Sequence, residues 1–243
     1  MKVSIITVCF NSEKTISRTI ESVLFQNYKN IEYIIIDGQS QDNTLKIVKS
    51  YIKKFKEKKI DFKIISEKDS GIYNAMNKGI LLSSGDIIGI INSDDWYEPN
   101  AIETAVKEYI EKKYDMFFAD LRIVKKSGNI IKKAKLRKIV VSRDWNHPTT
   151  FISRNIYEKF KYKEESIYDD FDLYLRIRKN SKKIVIKNSI LANFSFGGIS
   201  TKKSIKDTIN RIKIRYKIYR NNGYNRLYII ECIFTELLKY LAA

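Results

Sequence analysis

Asp86-Ile87-Ile88-Gly89-Ile90-Ile91-Asn92-Ser93-Asp94-Asp95 is an apolar, β-branched run that ends on two adjacent carboxylates. Apolar residues at successive positions mark a strand covered on both faces. Three further stretches have this character: Val3 to Phe10, Ile31 to Ile36 and Phe62 to Ser66. Helical patterns separate them, from about Glu13 to Gln26 behind a Ser12 cap, from Asp42-Asn43-Thr44 to about Phe55, and from Tyr73 to Leu82 after Gly71. Another helix, Asn100 to Glu111, follows the acidic cluster. Alternation of this kind predicts an α/β fold: a mainly parallel sheet with helices on both faces. Ligands of such sheets bind beyond the carboxyl ends of the strands. There the chain places Asn11, Asp37, Glu67 with Asp69, and Asp94 with Asp95.

The second half reads differently. Asp115 to Val124 and Ile130 to Lys135 form a hairpin pattern turning at Ser127-Gly128-Asn129, which makes the sheet mixed. Short helices are expected at Arg154–Phe160 and Asp170–Asn180, and a strand at Lys183–Ile190. Two helices, about Lys202 to Tyr219 and Arg226 to Leu241, close the chain. The expected division is a domain at 1–200 and a basic helical extension at 201–243.

At 243 residues, 44% hydrophobic and 30% charged, the chain is long and apolar enough to fold around a substantial core. A formal net charge of +18 fits an acidic partner or lysine used freely on a solvated surface, and by itself chooses no partner. The lysine pairs are scattered and no nucleic-acid module accompanies them, so nucleic acid is not expected. Cys9 and Cys232 lie in apolar patterns and read as buried free thiols. Met1 to Val8 is too short for a signal peptide, and no run of eighteen apolar residues exists. The expectation is a cytoplasmic chain. Asn11-Ser12-Glu13 after the first strand lacks the Gly-x-Gly-x-x-Gly of a nicotinamide-binding fold.

Four segments carry function-capable groups. Asp94 and Asp95 repel each other and are costly to bury, and a divalent cation such as Mg²⁺ or Mn²⁺ would offset both costs, although a helix cap also fits them. Asp69-Ser70-Gly71-Ile72-Tyr73-Asn74-Ala75-Met76-Asn77-Lys78-Gly79 sets a glycine before a helix whose start favours an anion, with Asn77 and Lys78 a turn inside. His147, the only histidine, sits in Trp145-Asn146-His147-Pro148; it is structural, or ligates a metal or phosphate. Tyr168-Asp169-Asp170-Phe171-Asp172 offers three carboxylates, as helix caps or as a general base.

Taken in order, these segments resemble the family 2 glycosyltransferases, which have the GT-A fold, from residue 3 to about 178. The stretch after Gly71 looks like bacterial enzymes of surface-polysaccharide assembly. The resemblance implies inverting transfer from a nucleoside-diphosphate sugar, with UDP the commonest nucleotide, to a glycan or lipid-diphosphate-linked acceptor. It implies Asp94 bridging metal and diphosphate with Asp95 assisting, Asn92 and Ser93 near the ribose or sugar, and Asp37 at the base with the backbone near Thr7 and Phe10. Asn11, Asp69, Asn77, Lys78 and His147 complete the implied donor site. Asp170 would be the catalytic base, with Asp169 and Asp172 as alternatives. The family often has Asp where this chain has Asn92, and Glu where it has Asp169. A catalytically inactive nucleotide-binding protein of the same fold is the other reading.

Residues 202–220 interleave eight Lys and Arg with five Ile. Two readings follow: an Ile face packed on the core with its basic face solvated, or a basic amphipathic helix on an anionic membrane.

Overall fold

The structure, a computed structural model, describes residues 1–181, 183–197 and 204–242. The expected boundary at 200/201, and Lys202 and Lys203 of the expected helix, lie outside them. The first half follows the expected alternation: β1 (Val3–Cys9), α1 (Ile16–Leu24), β2 (Ile31–Asp37), α2 (Thr44–Ser50), α3 (Ile52–Glu57), β3 (Asp61–Ser66), α4 (Ile72–Leu82), β4 (Ile87–Ile90). Then come β5 (Trp96–Tyr97), α5 (Ala101–Lys112), β6 (Met116–Lys125), β7 (Gly128–Lys132), β8 (Phe151–Ser153), α6 (Arg154–Lys159), α7 (Asp169–Asn180), β9 (Ile184–Ser195), α8 (Ile205–Asn221) and α9 (Tyr228–Ala242).

The strands form one sheet in the order β3-β2-β1-β4-β8-β6-β9-β5, with β7 hydrogen-bonded to β6. The β3-β2-β1-β4 half is parallel, and the crossover to antiparallel pairing begins at β8. Alternate residues of β1 feed two apolar layers: Val3 and Ile5 pack toward α1, α2, α3 and α5, while Ile6 and Val8 pack toward α4, α6 and α7. Ile218, Tyr219 and Cys232 of α8 and α9 join the second layer. Both cysteines are free and buried, as expected.

Four departures from the sequence reading have physical causes. α1 begins at Ile16 because Ser12 O accepts from both Thr15 N and Ile16 N, closing a turn first. The helix expected through Phe55 breaks at Tyr51, whose hydroxyl donates to Glu21 of α1 (2.9 Å). β5 and β8 span two and three residues, too short to show a period. β9 continues past Ile190 to Ser195, through an irregularity opposite Ala119–Leu121.

The amino edge of the parallel half is locked by Glu32 on β2, which is fully covered. Its carboxylate accepts from Ser4 Oγ (2.5 Å), Ser84 N, Ser84 Oγ (2.8 Å), Gly85 N (3.1 Å) and Lys2 Nζ (3.0 Å). Lys63 adds a further ion pair at 3.2 Å. Burial by itself would raise the Glu32 pKa, but these hydrogen bonds and the Lys2 charge outweigh it and hold the carboxyl well below the usual range. A depressed carboxyl stabilises the fold fully above its unfolded pKa of about 4.3, and that contribution is lost as pH falls through the folded value. Glu32→Gln is therefore expected to cost about 2–4 kcal/mol at pH 7 and to flatten the acid limb below pH 4. Urea melts of both chains between pH 2 and 7 read this directly; an unchanged acid limb in the variant would sink it.

Candidate active site at the carboxyl edge of the sheet

Because β1 to β4 run parallel, their carboxyl ends share one edge and bring together the loops at 10–15, 38–43, 67–71 and 91–95. The first two loops are zipped by side chains. Asn11 N donates to Ser40 Oγ (2.9 Å) and Gln41 N to Asn11 Oδ1 (2.8 Å). Glu13 accepts from Asn43 N and Nδ2 at 3.0 and 2.9 Å. Asn11 and Gln39 both take left-handed backbone, at φ 48° and 61°, which these tight turns require. Ser12 Oγ lies 2.8 Å from Ser93 Oγ, tying the first loop to the acidic cluster.

Asp37 is fully buried at the end of β2. Its carboxylate accepts from Ser40 Oγ (2.5 Å) and Ser66 Oγ (2.7 Å), so it holds the β2 loop against β3. Thr7 is also fully buried, accepting from Tyr33 (3.0 Å), which leaves its backbone rather than its side chain to the edge. Phe10 stands 59% exposed beside this loop. A Cβ at Gly38 would meet Asp69 Oδ2 at 2.6 Å and the Phe10 ring at 3.5 Å, so Phe10, Gly38 and Asp69 converge on one narrow slot.

At the end of β4, Asp95 is fully buried. One carboxylate oxygen accepts from Ser195 N (3.0 Å), while among the described residues Oδ2 has no hydrogen-bond partner, and neither does the buried Oδ1 of Asn92. Burial raises the pKa of both Asp94 and Asp95; for Asp95 the adjacent Asp94 adds to it, against the Ser195 N–H and Arg18. The backbone beneath them is gripped from two sides. Thr19 Oγ1 donates to Asp95 O (2.6 Å), and Arg18 and Ser195 Oγ donate to Asp94 O at 2.8 and 2.6 Å. Arg18 also stacks on Trp96 at 3.6 Å. Neither Arg18 nor Ser195 is visible as a site residue in the sequence. Arg18 looks like a solvated helix position, and Ser195 lies beyond the expected end of its strand.

The three carboxylates at the start of α7 separate by their partners. Asp169 is buried and spends both oxygens on its own turn, accepting from Glu165 N (2.6 Å) and Ser166 Oγ (2.7 Å). Asp172 is buried and accepts from Lys163 (3.2 Å), Arg176 (2.8 Å) and Asn222 (2.8 Å), fastening α7 to the end of α8. Asp170 accepts through Oδ1 from Tyr73 (3.1 Å) and Phe171 N (2.7 Å), and among the described residues its Oδ2 has no partner. It lines a small cavity with Ile90, Trp145, His147, Tyr162 and Tyr174. The structure thus groups His147 with Asp170; burial holds its imidazole pKa below the ordinary value against the pull of Asp170. Lys132 fixes the wall of this cavity, donating to Trp145 O (2.7 Å). Burial, with Lys239 and Arg215 nearby, pushes its pKa down to about 7.

Asn77 and Lys78 both hold loops. Asn77 Nδ2 donates to Tyr162 O (2.9 Å) and Glu164 (2.8 Å), and its Oδ1 accepts from Tyr162 N (3.1 Å). Lys78 pairs with Glu67 (2.7 Å) and donates to Lys68 O (2.8 Å). Glu164, at φ 65°, takes further bonds from Asn74 (3.0 Å) and Ser70 (3.3 Å), so the segment leading to α7 is anchored on α4.

This arrangement sets acids at the end of a parallel strand and a separate half-free carboxylate on a later helix. The profile of Glycosyl transferase family 2 matches residues 4–190, and the chain belongs to that family. It is 26% identical to an uncharacterised glycosyltransferase of Methanocaldococcus jannaschii, over 98% of this chain and 87% of that protein. It is 31% identical to the chondroitin synthase of Escherichia coli over 72% of this chain but only 26% of that much longer protein. Its fold matches Staphylococcus aureus TarS 1-349 in complex with UDP-GlcNAc (TM-score 0.72, 17% identity, all of this chain and 73% of that one). It also matches a Pyrobaculum calidifontis mannosyltransferase in complex with GDP-Man and Mn²⁺ (TM-score 0.71, 14% identity, all of this chain and 74% of that one). The fold is that of the GT-A glycosyltransferases, as expected, with helices α8 and α9 added at the end.

The partner sets predict how the three α7 carboxylates differ in stability. Asp172→Ala strands Arg176, Lys163 and Asn222 and should cost about 3 kcal/mol. Asp170→Asn should cost no more than about 1 kcal/mol. Equal losses in urea melts would show that Asp170 is as structural as Asp172.

Proposed function

We propose that the chain transfers a sugar from a nucleoside-diphosphate donor, preferentially a UDP-sugar, to a hydroxyl of a glycan or lipid-diphosphate-linked glycan in surface-polysaccharide synthesis, with inversion. The observation that carries this reading is the buried oxygen of Asp95, beside Asp94 after β4, to which no described residue hydrogen-bonds. Leaving such an oxygen bare is costly unless a ligand completes it.

The donor set is all oxygen, which suits Mn²⁺ or Mg²⁺. Among the described residues no group of three or more His, Cys, Asp or Glu converges. A cation on Asp94 and Asp95 would therefore take its other oxygens from the diphosphate and water. When bound, it would act as a Lewis acid for the leaving diphosphate. Phe10, Asn11 and Asp69 line the base and ribose, with the Asp37 carboxylate and the Thr7 backbone behind them. Asn92 and Ser93 lie toward the sugar. Asn77 and Lys78 act by holding the loops that shape this slot.

Asp170 takes the proton of the acceptor hydroxyl as that oxygen attacks the anomeric carbon on the face away from the diphosphate. Its Oδ1 is fixed by Tyr73 and Phe171 N, which leaves Oδ2 for the proton. Neutral His147 and Tyr162 shape the cavity beside it.

Isothermal titration of UDP with and without Mn²⁺ tests the donor site. Native chain should bind UDP in a Mn²⁺-dependent way, and Asp94→Ala should lose at least tenfold in affinity. Binding of GDP or dTDP in place of UDP would change the donor and keep the enzyme. Asp170→Asn should keep UDP affinity and lose about 10²–10⁴ in the rate of donor turnover, the usual range for a general base. Donor binding without transfer or hydrolysis by the native chain would instead favour a nucleotide-binding protein.

A further inference from the structure

α8 mixes the two faces: Ile218 is buried and Ile212 and Ile214 pack on the core, Ile205 and Ile209 are 69% and 49% exposed, and Arg211 and Arg215 are buried. The cause is Glu236 of α9, fully covered, which draws Arg211 (2.8 Å) and Arg215 (2.7 Å) inward and accepts from Tyr168 (3.1 Å). Glu231, the other acid of α9, also faces the protein and accepts from Ser142 N (3.1 Å) and Ser142 Oγ (2.8 Å). α9 therefore points its acids inward and its large apolar side chains outward. Leu227 just before it, then Ile230, Phe234 and Leu237, are spaced three, four and three apart and share one flank. They are 67%, 63%, 52% and 49% exposed, with Ile233 and Leu238 beside them at 41% and 37%.

A second element extends this flank. Residues 132–143 contain no acid. They run along the start of α9 through Val140 N to Tyr228 (3.2 Å), the Ser142–Glu231 bonds and Arg143 stacked 4.9 Å over Phe234. Leu136 and Ile139 are 42% and 69% exposed there, among the exposed Lys135, Lys138 and Arg143. The result is an apolar ridge on one helix flank, edged by cations, with every nearby acid of α9 turned away.

We propose that this face docks on an anionic lipid bilayer, α9 lying in the headgroup plane. An outward apolar flank bordered by Lys and Arg is the form of an interfacial helix, and anionic headgroups supply the charge that the rim lacks. The same rim disfavours a second copy of this chain. A two-fold pairing through the ridge would set cation against cation on two molecules of net charge +18. Among the described residues no helix is long and apolar enough to cross a membrane, so the contact is peripheral.

Vesicle co-sedimentation of the purified chain tests this. Native chain should pellet with phosphatidylglycerol-containing vesicles and much less with pure phosphatidylcholine, with binding weakened by salt. Phe234→Glu with Leu237→Glu, both exposed, should lower partitioning at least tenfold with unchanged circular dichroism and melting temperature. Lys135→Gln, Lys138→Gln and Arg143→Gln together should remove the preference for anionic lipid. Native chain left in the supernatant, or the Glu variant binding like the native chain, would overturn the proposal. So would a native dimer in sedimentation equilibrium that the Glu variant converts to monomer, since the ridge would then be a self-association surface.

Discussion

A carboxylate sealed at the end of a β-strand governs the arrangement around it. The Asp95 side chain has no exposed surface and one hydrogen bond, and among the described residues its other oxygen has no partner. Such a group is costly unless several elements hold the chain around it, because an unsatisfied buried polar atom costs about 1–3 kcal/mol. α1 supplies Thr19 and Arg18, and β9 supplies Ser195 N and Oγ. β9 reaches the acidic turn because its pairing with β6 resumes after the irregularity, from Ala192 to Ser195, and it pairs there with β5 as well. Polar atoms left unsatisfied against such bracing are the mark of a site kept ready for a ligand.

The two edges of the parallel half-sheet show the same problem solved in opposite ways. At the amino edge, Glu32 receives donors from Ser4, Ser84, Gly85, Lys2 and Lys63, and its pKa is held down. At the carboxyl edge, Asp94 and Asp95 receive few donors to their carboxylates, and both pKa values are pushed up. Both are acids on or just after covered strands. Glu32 is answered by donors from Ser4, Ser84 and Gly85 and by two lysines, whereas among the described residues Oδ2 of Asp95 has no hydrogen-bond partner.

Much of this was legible in the sequence because the signals were long. Four β-branched runs alternating with amphipathic helices define the parallel half, and the polar strand ends define its edge. What was not legible depended on contacts across the fold. β5 and β8 are too short to carry a period, and Arg18 and Ser195 matter only through Asp94 and Asp95. α8 follows its period only in part: Ile212, Ile214 and Ile218 pack inward as an Ile face would, but Glu236 on another helix also draws Arg211 and Arg215 in. The choice among Asp169, Asp170 and Asp172 was open because all three suit the first turn of a helix; only their hydrogen bonds distinguish them.

Those bonds also give a reason for the two departures from the family pattern. The short side chain of Asp169 closes a tight turn onto Glu165 N and Ser166 Oγ, four and three residues back. Asp169 is thus committed to its own turn, while Asp170 spends only Oδ1, on Tyr73 and Phe171 N. Asn92 removes a negative charge from a buried strand end that already holds two raised carboxylates. Fewer charges mean less repulsion among these acids and a weaker hold on a bare cation. On the proposed reading, a cation that arrives with its diphosphate brings the missing oxygens and gains most from this site, so nucleotide and metal should bind as one unit and each should tighten the other.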